Sequence, residues 1–236
     1  MNLNKHLELN GCHATFGASQ SAWLRYNDEK ILSRADSLMA TNLGTEIHEF
    51  AKSQIDMRIR SRSIKNLIDS LMTYIYRKYY DEKIESINDY GEKLLAAISR
   101  IPRDIFATVQ SYINDGVGFC MTTEQKLVYF APHFFGTADS LSYRDKILRI
   151  HDLKTGRHQA NMDQLMLYAA WFCLEYKIKP SEMEFIELRI YQNNEVVVHR
   201  PTVEDMTQII DRNIYCKNLV VGPTYEGGEH HEKSNR

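Results

Sequence analysis

The spacing of apolar positions along the chain changes once, near residue 119. Before that point it follows a helical period. In "LGTEIHEFAKSQIDMRIR", residues 43–60, Ile47, Phe50, Ala51 and Ile55 recur three or four apart and mark one face, with Ser37 or Thr41 as the expected cap. "SIKNLIDSLMTYIYRKYY", residues 63–80, repeats the pattern at Leu67, Leu71, Ile75 and Tyr79. A third helical stretch runs through "INDYGEKLLAAISR" and "PRDIFATVQSYIND", where Pro102 either kinks one helix or opens a new one. "DGVG" then reads as the closing turn.

After residue 119 the runs are short and β-prone. "MTTEQKLVYF", "FFGTADSLSYR" and "KILRIHDLK" predict a three-stranded meander with breaks at "APH" and "RDK". "NMDQLMLYAAWFCLEYK" predicts a helix capped by Asn161, and "EMEFIELRIYQ" a strand that turns at Asn193–Asn194 into "EVVVHR". A last helix starts at Thr202, with Glu204 and Asp205 favourably placed against its dipole. The expected fold is α/β (α+β): a small mixed central sheet flanked by helices, with a helical N-terminal region. One domain is expected over 1–236, with a helical part at about 37–115, a core at about 119–220 and a disordered tail at about 226–236.

With 236 residues, 43% of them hydrophobic and 25% charged, the chain has the balance of a soluble globular protein. No run approaches the ~18 apolar residues of a membrane span, and the N-terminus lacks the basic-then-apolar layout of a signal peptide. The expected location is the cytoplasm, with no membrane partner. Cys12, Cys120, Cys173 and Cys216 show no C-x-x-C spacing, which predicts reduced, mostly core thiols rather than a zinc knuckle or a disulfide framework. A net charge of −2 does not mark a general polyanion binder, so local basic patches matter more. The densest, "MRIRSRSIK", carries Arg58, Arg60 and Arg62 and reads equally as a solvated helix face or a nucleic-acid contact.

Five acid-x-Lys triplets occur, at Asp28, Asp81, Glu124, Asp152 and Glu175. Position singles out Asp152 and Lys154. They continue the strand face of Leu148 and Ile150, and charges on an apolar face must pair or bind a ligand. Pairing about the turn at Arg144–Asp145 places Asp139 opposite or nearly opposite Asp152. Two close carboxylates repel unless a cation lies between them, and oxygen ligands suit Mg²⁺ or Mn²⁺. Gln164 and Tyr168 lie one helical turn apart and project toward the same sheet end. His48, on the first long helix, is a candidate neutral imidazole ligand that suits Mn²⁺.

In this order, "GTEIHEF", "FGTAD", "HDLKTG" and "QLMLY" resemble the motif set of the PD-(D/E)XK nuclease superfamily, in the RecB-like branch of CRISPR-associated and phage exonucleases. The resemblance covers residues 44–171 and implies a restriction-endonuclease-like core. It implies His48, Asp139, Asp152 and the backbone carbonyl of Leu153 as metal ligands, and Lys154, with Gln164 and Tyr168, as catalytic positions. Glu124 matches an acidic position on the first strand and is expected behind the ligands. Many members hold an iron–sulfur cluster, but here "SQSAWLRYN" has no cysteine and only Cys216 follows the last strands, so no cluster is expected.

The implied activity is metal-dependent DNA hydrolysis with little sequence preference. The implied roles are an exonuclease in phage or prophage recombination, replication or repair, or alternatively a flap-type endonuclease or a non-catalytic nucleic-acid-binding module. DNA contacts are expected from Thr155, Arg157, His158, Arg58, Arg60 and Arg62, and these read the backbone rather than the bases. A phage annealing or replication protein and a second copy of the chain are the further expected partners.

Overall fold

The computed structural model describes residues 16, 18–80, 85–156 and 161–222. Along the chain these form a short 3-10 helix (Ala18–Arg25), α1 (Asp28–Asp56), α2 (Ile64–Tyr79), α3 (Glu85–Ile98), α4 (Arg103–Gly118), β1 (Thr122–Phe130), β2 (Phe134–Arg144), β3 (Ile147–Leu153), α5 (Asp163–Tyr176), a 3-10 turn (Pro180–Glu182), β4 (Phe185–Gln192), β5 (Glu195–His199) and α6 (Val203–Val221). The expected tail, Cys12, Arg157 and His158 lie outside the described residues. Two compact units result, one of Met1–Glu49 with Ser70–Ile101 and one of Phe50–Asp69 with Pro102–Arg236.

Helix boundaries depart from the sequence pattern where side chains compete for backbone partners. α1 begins well before Ser37 or Thr41, because Asn27 Oδ1 accepts the Lys30 N–H at 3.0 Å and serves as the cap. Ser37 and Thr41 sit inside the helix and donate their hydroxyls to the carbonyls of Ser33 and Ser37, at 2.8 and 3.0 Å. α1 also stops at Asp56, so "MRIRSRSIK" is no helix face. Its first residues form an exposed connection, with Arg58 in the left-handed region at φ 58°. Pro102 precedes α4 with φ −56° and ψ 141°, and so separates two helices. "DGVG" is the last turn of α4 rather than a loop. A Cβ on Gly116 would lie 2.6 Å from Ile55 Cδ1, so glycine is there to let α1 and α4 approach. Asn161 acts one residue further out than a cap, accepting the Asp163 N–H at 2.9 Å, while Met162 holds the cap position.

In the first unit, Ile47, Leu71, Ile75, Leu94 and Ile98 are buried, as their spacing requires. Glu46 is buried among them and accepts Lys78 Nζ at 2.9 Å on both oxygens. Burial works against the Lys78 charge, yet its hydrogen bonds to Glu49 and Glu46 outweigh that and push its pKa up.

The second unit is a five-stranded sheet in sequence order, β1-β2-β3-β4-β5. All neighbours are antiparallel except β3 and β4, which α5 joins as a crossover. Two-residue turns close two hairpins, at Asp145–Lys146 and at Asn193–Asn194, with all four residues at φ 50–60°. Positive φ at both central positions is the type I′ geometry that matches strand twist. Leu141, Leu148, Ile150, Ile186, Leu188 and Ile190 pack with α5 residues Leu165, Ala169 and Phe172 in one buried cluster.

The opposite side of β3 is also closed. His151 is fully buried, with Nδ1 3.1 Å from the Tyr191 hydroxyl, which donates to Asp115 of α4 at 2.7 Å. Beside it, Glu187 is 2% exposed and bonded by Arg189 and Arg200 at 3.0 and 2.6 Å. Of the cysteines described, Cys173 is buried, but Cys120 and Cys216 are only half-buried, which corrects the expectation of mostly core thiols.

Burial first, then the nearby charges of Arg189 and Arg149, push the His151 pKa down from 6.5 to about 3. The imidazole therefore stays neutral in the folded chain while the unfolded chain takes up a proton. Stability from this residue is complete above pH 6.5 and is lost as pH falls toward about 3. The slope is at most about 1.4 kcal/mol per pH unit. His151→Asn should lower stability at pH 7 and flatten its decline from pH 6.5 to 4, as read by denaturant titrations. Parallel declines in the two proteins would contradict a neutral buried imidazole.

Candidate active site

The β2–β3 turn, expected at Arg144–Asp145, lies one residue later, at Asp145–Lys146, and this shift fixes which residues meet across the two strands. Arg144 pairs with Ile147, and the register runs unbroken to Ser140 opposite His151. One further step puts Asp139 opposite Asp152, at the non-hydrogen-bonded kind of position where side chains come closest. The ladder lapses there. The Leu153 N–H donates to Asp139 Oδ2 at 2.9 Å, a side-chain oxygen standing where a β2 carbonyl would follow. On the other side of β2 the β1 register steps from Thr123–Ser140 to Gln125–Ala138, omitting Glu124 and Asp139. Glu124 is in the left-handed region at φ 50°.

A row of three carboxylates, Glu124, Asp139 and Asp152, thus crosses three strands at the irregularity. Strict alternation would send Ala138 and Leu141 to opposite faces, yet both belong to the cluster around α5, and the lapse lies between them.

Asp152 is 3% exposed, and Lys154 answers its charge with Nζ 3.1 Å from Oδ1 and 3.0 Å from Oδ2. The same ammonium donates to Gln164 Oε1 at 3.2 Å, and Gln164 Nε2 donates to the Tyr168 hydroxyl at 3.0 Å. One polar chain therefore runs from the strand end along the first turns of α5. The Lys154 N–H takes the Tyr191 carbonyl on β4 at 2.9 Å. By alternation the N–H and carbonyl of Leu153 face away from β4, toward Asp139.

Burial raises the Asp139 pKa, and the Glu124 charge adds to this, while the Leu153 N–H and Lys154 work the other way. The two aspartates with the Leu153 carbonyl form an all-oxygen donor set, the kind that fits Mg²⁺ or Mn²⁺. Among the described residues, no group of three or more histidine, cysteine, aspartate or glutamate side chains is arranged to hold a metal. Any ion there would rest on the aspartate pair, backbone oxygen and water.

Residues 13–215 match the family described as "Protein of unknown function (DUF2800)". The chain belongs to the DUF2800 family. The match takes in every described strand and every candidate site residue. No curated protein and no solved structure matches the chain.

Other expected site residues of this DUF2800 chain are placed as follows. His48 lies half-buried on α1 in the first unit. Thr155 follows Lys154 directly, and the Gly156 carbonyl is tied to Gln192 Nε2 at 2.8 Å. Arg58, Arg60 and Arg62 are exposed, and Arg58 Nη1 donates to the Met121 carbonyl at 3.1 Å, just before β1.

Gly136, within "FGTAD", is a positioning residue that the sequence reading left without a role. A Cβ there would sit 2.8 Å from Tyr168 Cε1 and 3.0 Å from Trp171 Cζ3. Its signal was a glycine inside a strand, which marks close approach of another element. Tyr112 of α4 was also missed. It is buried, and burial together with the charges of Asp139 and Asp152 raises its pKa. Nothing in its helical spacing distinguishes it from a core tyrosine.

Gly136→Ala should push the Tyr168 ring off Gln164 and lower stability by about 1–3 kcal/mol, measured by thermal unfolding. An unchanged midpoint would mean that the ring moves aside freely. Because Asp139 is held above its ordinary pKa, its charge at pH 7 works against folding. In chelator, Asp139→Asn should melt no lower than the parent protein, and a lower melting temperature would show the carboxylate to be stabilising.

Proposed function

We propose that this DUF2800 protein is a metal-dependent deoxyribonuclease of the PD-(D/E)XK superfamily, acting as an exonuclease with little sequence preference on phage or prophage DNA in the cytoplasm. The observation that carries this reading is the Lys154 ammonium. It donates to Oδ1 of buried Asp152 and to Gln164, lies 3.0 Å from Asp152 Oδ2, and its charge also reaches Asp139. A core ion pair would not need a second carboxylate at its side, since two close carboxylates raise the cost of charging each other. A site that binds a cation does need it.

Asp139 and Asp152 would hold Mg²⁺ or Mn²⁺ with the Leu153 carbonyl, and the ion supplies Lewis acidity toward a phosphate oxygen and a bound water. Lys154 stabilises negative charge developing on the phosphate and orients the attacking water. Gln164 fixes the Lys154 ammonium through its carbonyl, and Tyr168 fixes the Gln164 amide. Gly136 leaves room for the Tyr168 ring. Half-buried Thr155 and exposed Gly156 lie next in the chain to these groups, where a phosphate would be met without reading bases.

Asp152→Ala and Lys154→Ala should bind DNA and lose Mn²⁺-dependent degradation. Gln164→Ala, which only misplaces the ammonium, should slow turnover by about tenfold to a hundredfold. Mn²⁺ should raise the melting temperature of the parent and not of Asp152→Ala, because only a folded site gains from the ion. Digestion of end-labelled linear DNA with circular DNA spared supports the exonuclease, whereas cut circles indicate an endonuclease. If both alanine variants degrade DNA as fast as the parent, the assignment is wrong.

A further inference from the structure

The two edges of the sheet are built differently. At the β1 edge, Glu124 breaks the strand with a left-handed residue, the register shifts between Val128 and Phe130, and the Val128 N–H is taken by the Glu175 carboxylate at 2.7 Å. Each device blunts an edge against further pairing. The β5 edge has none of them among the described residues. Its five residues stay in unbroken register with β4 and all are exposed, with Val196, Val197 and Val198 at 39, 52 and 48%. Three consecutive exposed valines on a regular edge form a surface that another strand would bury.

The hairpin phase decides which backbone groups are available. The two-residue turn makes Gln192 and Glu195 a hydrogen-bonded pair, so Ile190–Val197 and Leu188–His199 are the next such pairs. Glu195, Val197 and His199 therefore direct their N–H and C=O groups toward β4, while Val196 and Val198 direct theirs outward. A second, antiparallel copy of β5, placed by a two-fold axis at Val197, sets Val196 against the partner's Val198. Outward groups then meet outward groups on both sides. The same register sets Glu195 directly opposite the partner's His199, a carboxylate facing an imidazole that can donate an N–H to it. A slip of two residues keeps the hydrogen bonds but leaves Glu195 facing Val197 or Pro201, so charge complementarity selects the centred register.

We propose that the chain forms a two-fold dimer through β5, continuing its five strands into a ten-stranded sheet, with Val197 on the axis and Glu195 facing the partner's His199. The blunted β1 edge ends growth there, so the assembly closes at two copies.

Light scattering of the full chain over a dilution series should give a dimer that dissociates on dilution. Val197→Lys sets two ammonium groups face to face and should weaken the dimer by about tenfold or more. Val221→Lys, equally exposed on α6, should leave it intact. Glu195→Lys and His199→Glu should each weaken it, and the double exchange should restore it. Far-UV circular dichroism confirms that each variant is folded. A folded monomer at every concentration overturns the proposal, as it would if residues outside the described set covered the edge. A dimer indifferent to Val197→Lys, or an exchange that fails to restore association, overturns it as well.

Discussion

Placing charge at the end of a doubly covered strand is the constraint to which the rest of this structure answers. β3 lies between α5 and α4, and a carboxylate at its end has lost most of its water, a cost that only partners can offset. Asp152 meets it with Lys154, and Asp139 with the Leu153 N–H and the nearby ammonium. Those partners must then be held in turn. Gln164 holds Lys154, Tyr168 holds Gln164, and the missing side chain of Gly136 leaves the Tyr168 ring its place. Arranging this many groups around two carboxylates is costly in conformational freedom, so the site draws on rigid elements on both sides of the sheet.

The same constraint recurs on the other face with a different solution. Glu187 is as buried as Asp152, yet it is surrounded by Arg189, Arg200 and Arg149, with Phe119 and Phe185 stacked against the guanidinium groups. Cations there outnumber the acid, and its pKa ends below the usual carboxylate range, through its bonds to Arg200 and Arg189, in spite of burial. At Asp139 burial prevails and the pKa ends above that range. At Glu187 the neighbouring cations outweigh burial, and at Asp139 burial outweighs Lys154 and the Leu153 N–H. That contrast separates a structural ion cluster from a candidate ligand site within a single sheet.

One of the sheet's irregularities falls where chemistry is expected. The left-handed Glu124, the omitted Glu124–Asp139 pair and the diverted Leu153 hydrogen bond all lie in one row. An unbroken ladder would have spent the Leu153 N–H on backbone and kept the β2 side chains in strict alternation. Breaking it costs one or two ladder bonds and turns the Leu153 N–H to the Asp139 carboxylate. The β4–β5 hairpin keeps its regularity, and its exposed edge is correspondingly open to pairing.

The sequence by itself determined the element order and the Asn193–Asn194 turn, but it set the β2–β3 turn one residue early, at Arg144–Asp145, so the opposition of Asp139 and Asp152 came from the observed register. The element order and the Asn193–Asn194 turn follow from short-range rules: periodicity of apolar positions and turn residues that accept positive φ. It also singled out Lys154, Gln164 and Tyr168, because strand and helix periods carry side-chain direction over a few residues. What only the tertiary structure decided was set by groups far apart in the chain. The helical place of Gly116 beside Ile55 and the role of Gly136 beneath Tyr168 both depend on a neighbour that no local pattern names. The raised pKa of Asp139 and the depressed pKa of His151 likewise come from burial on two sides, and burial is a property of the packed chain.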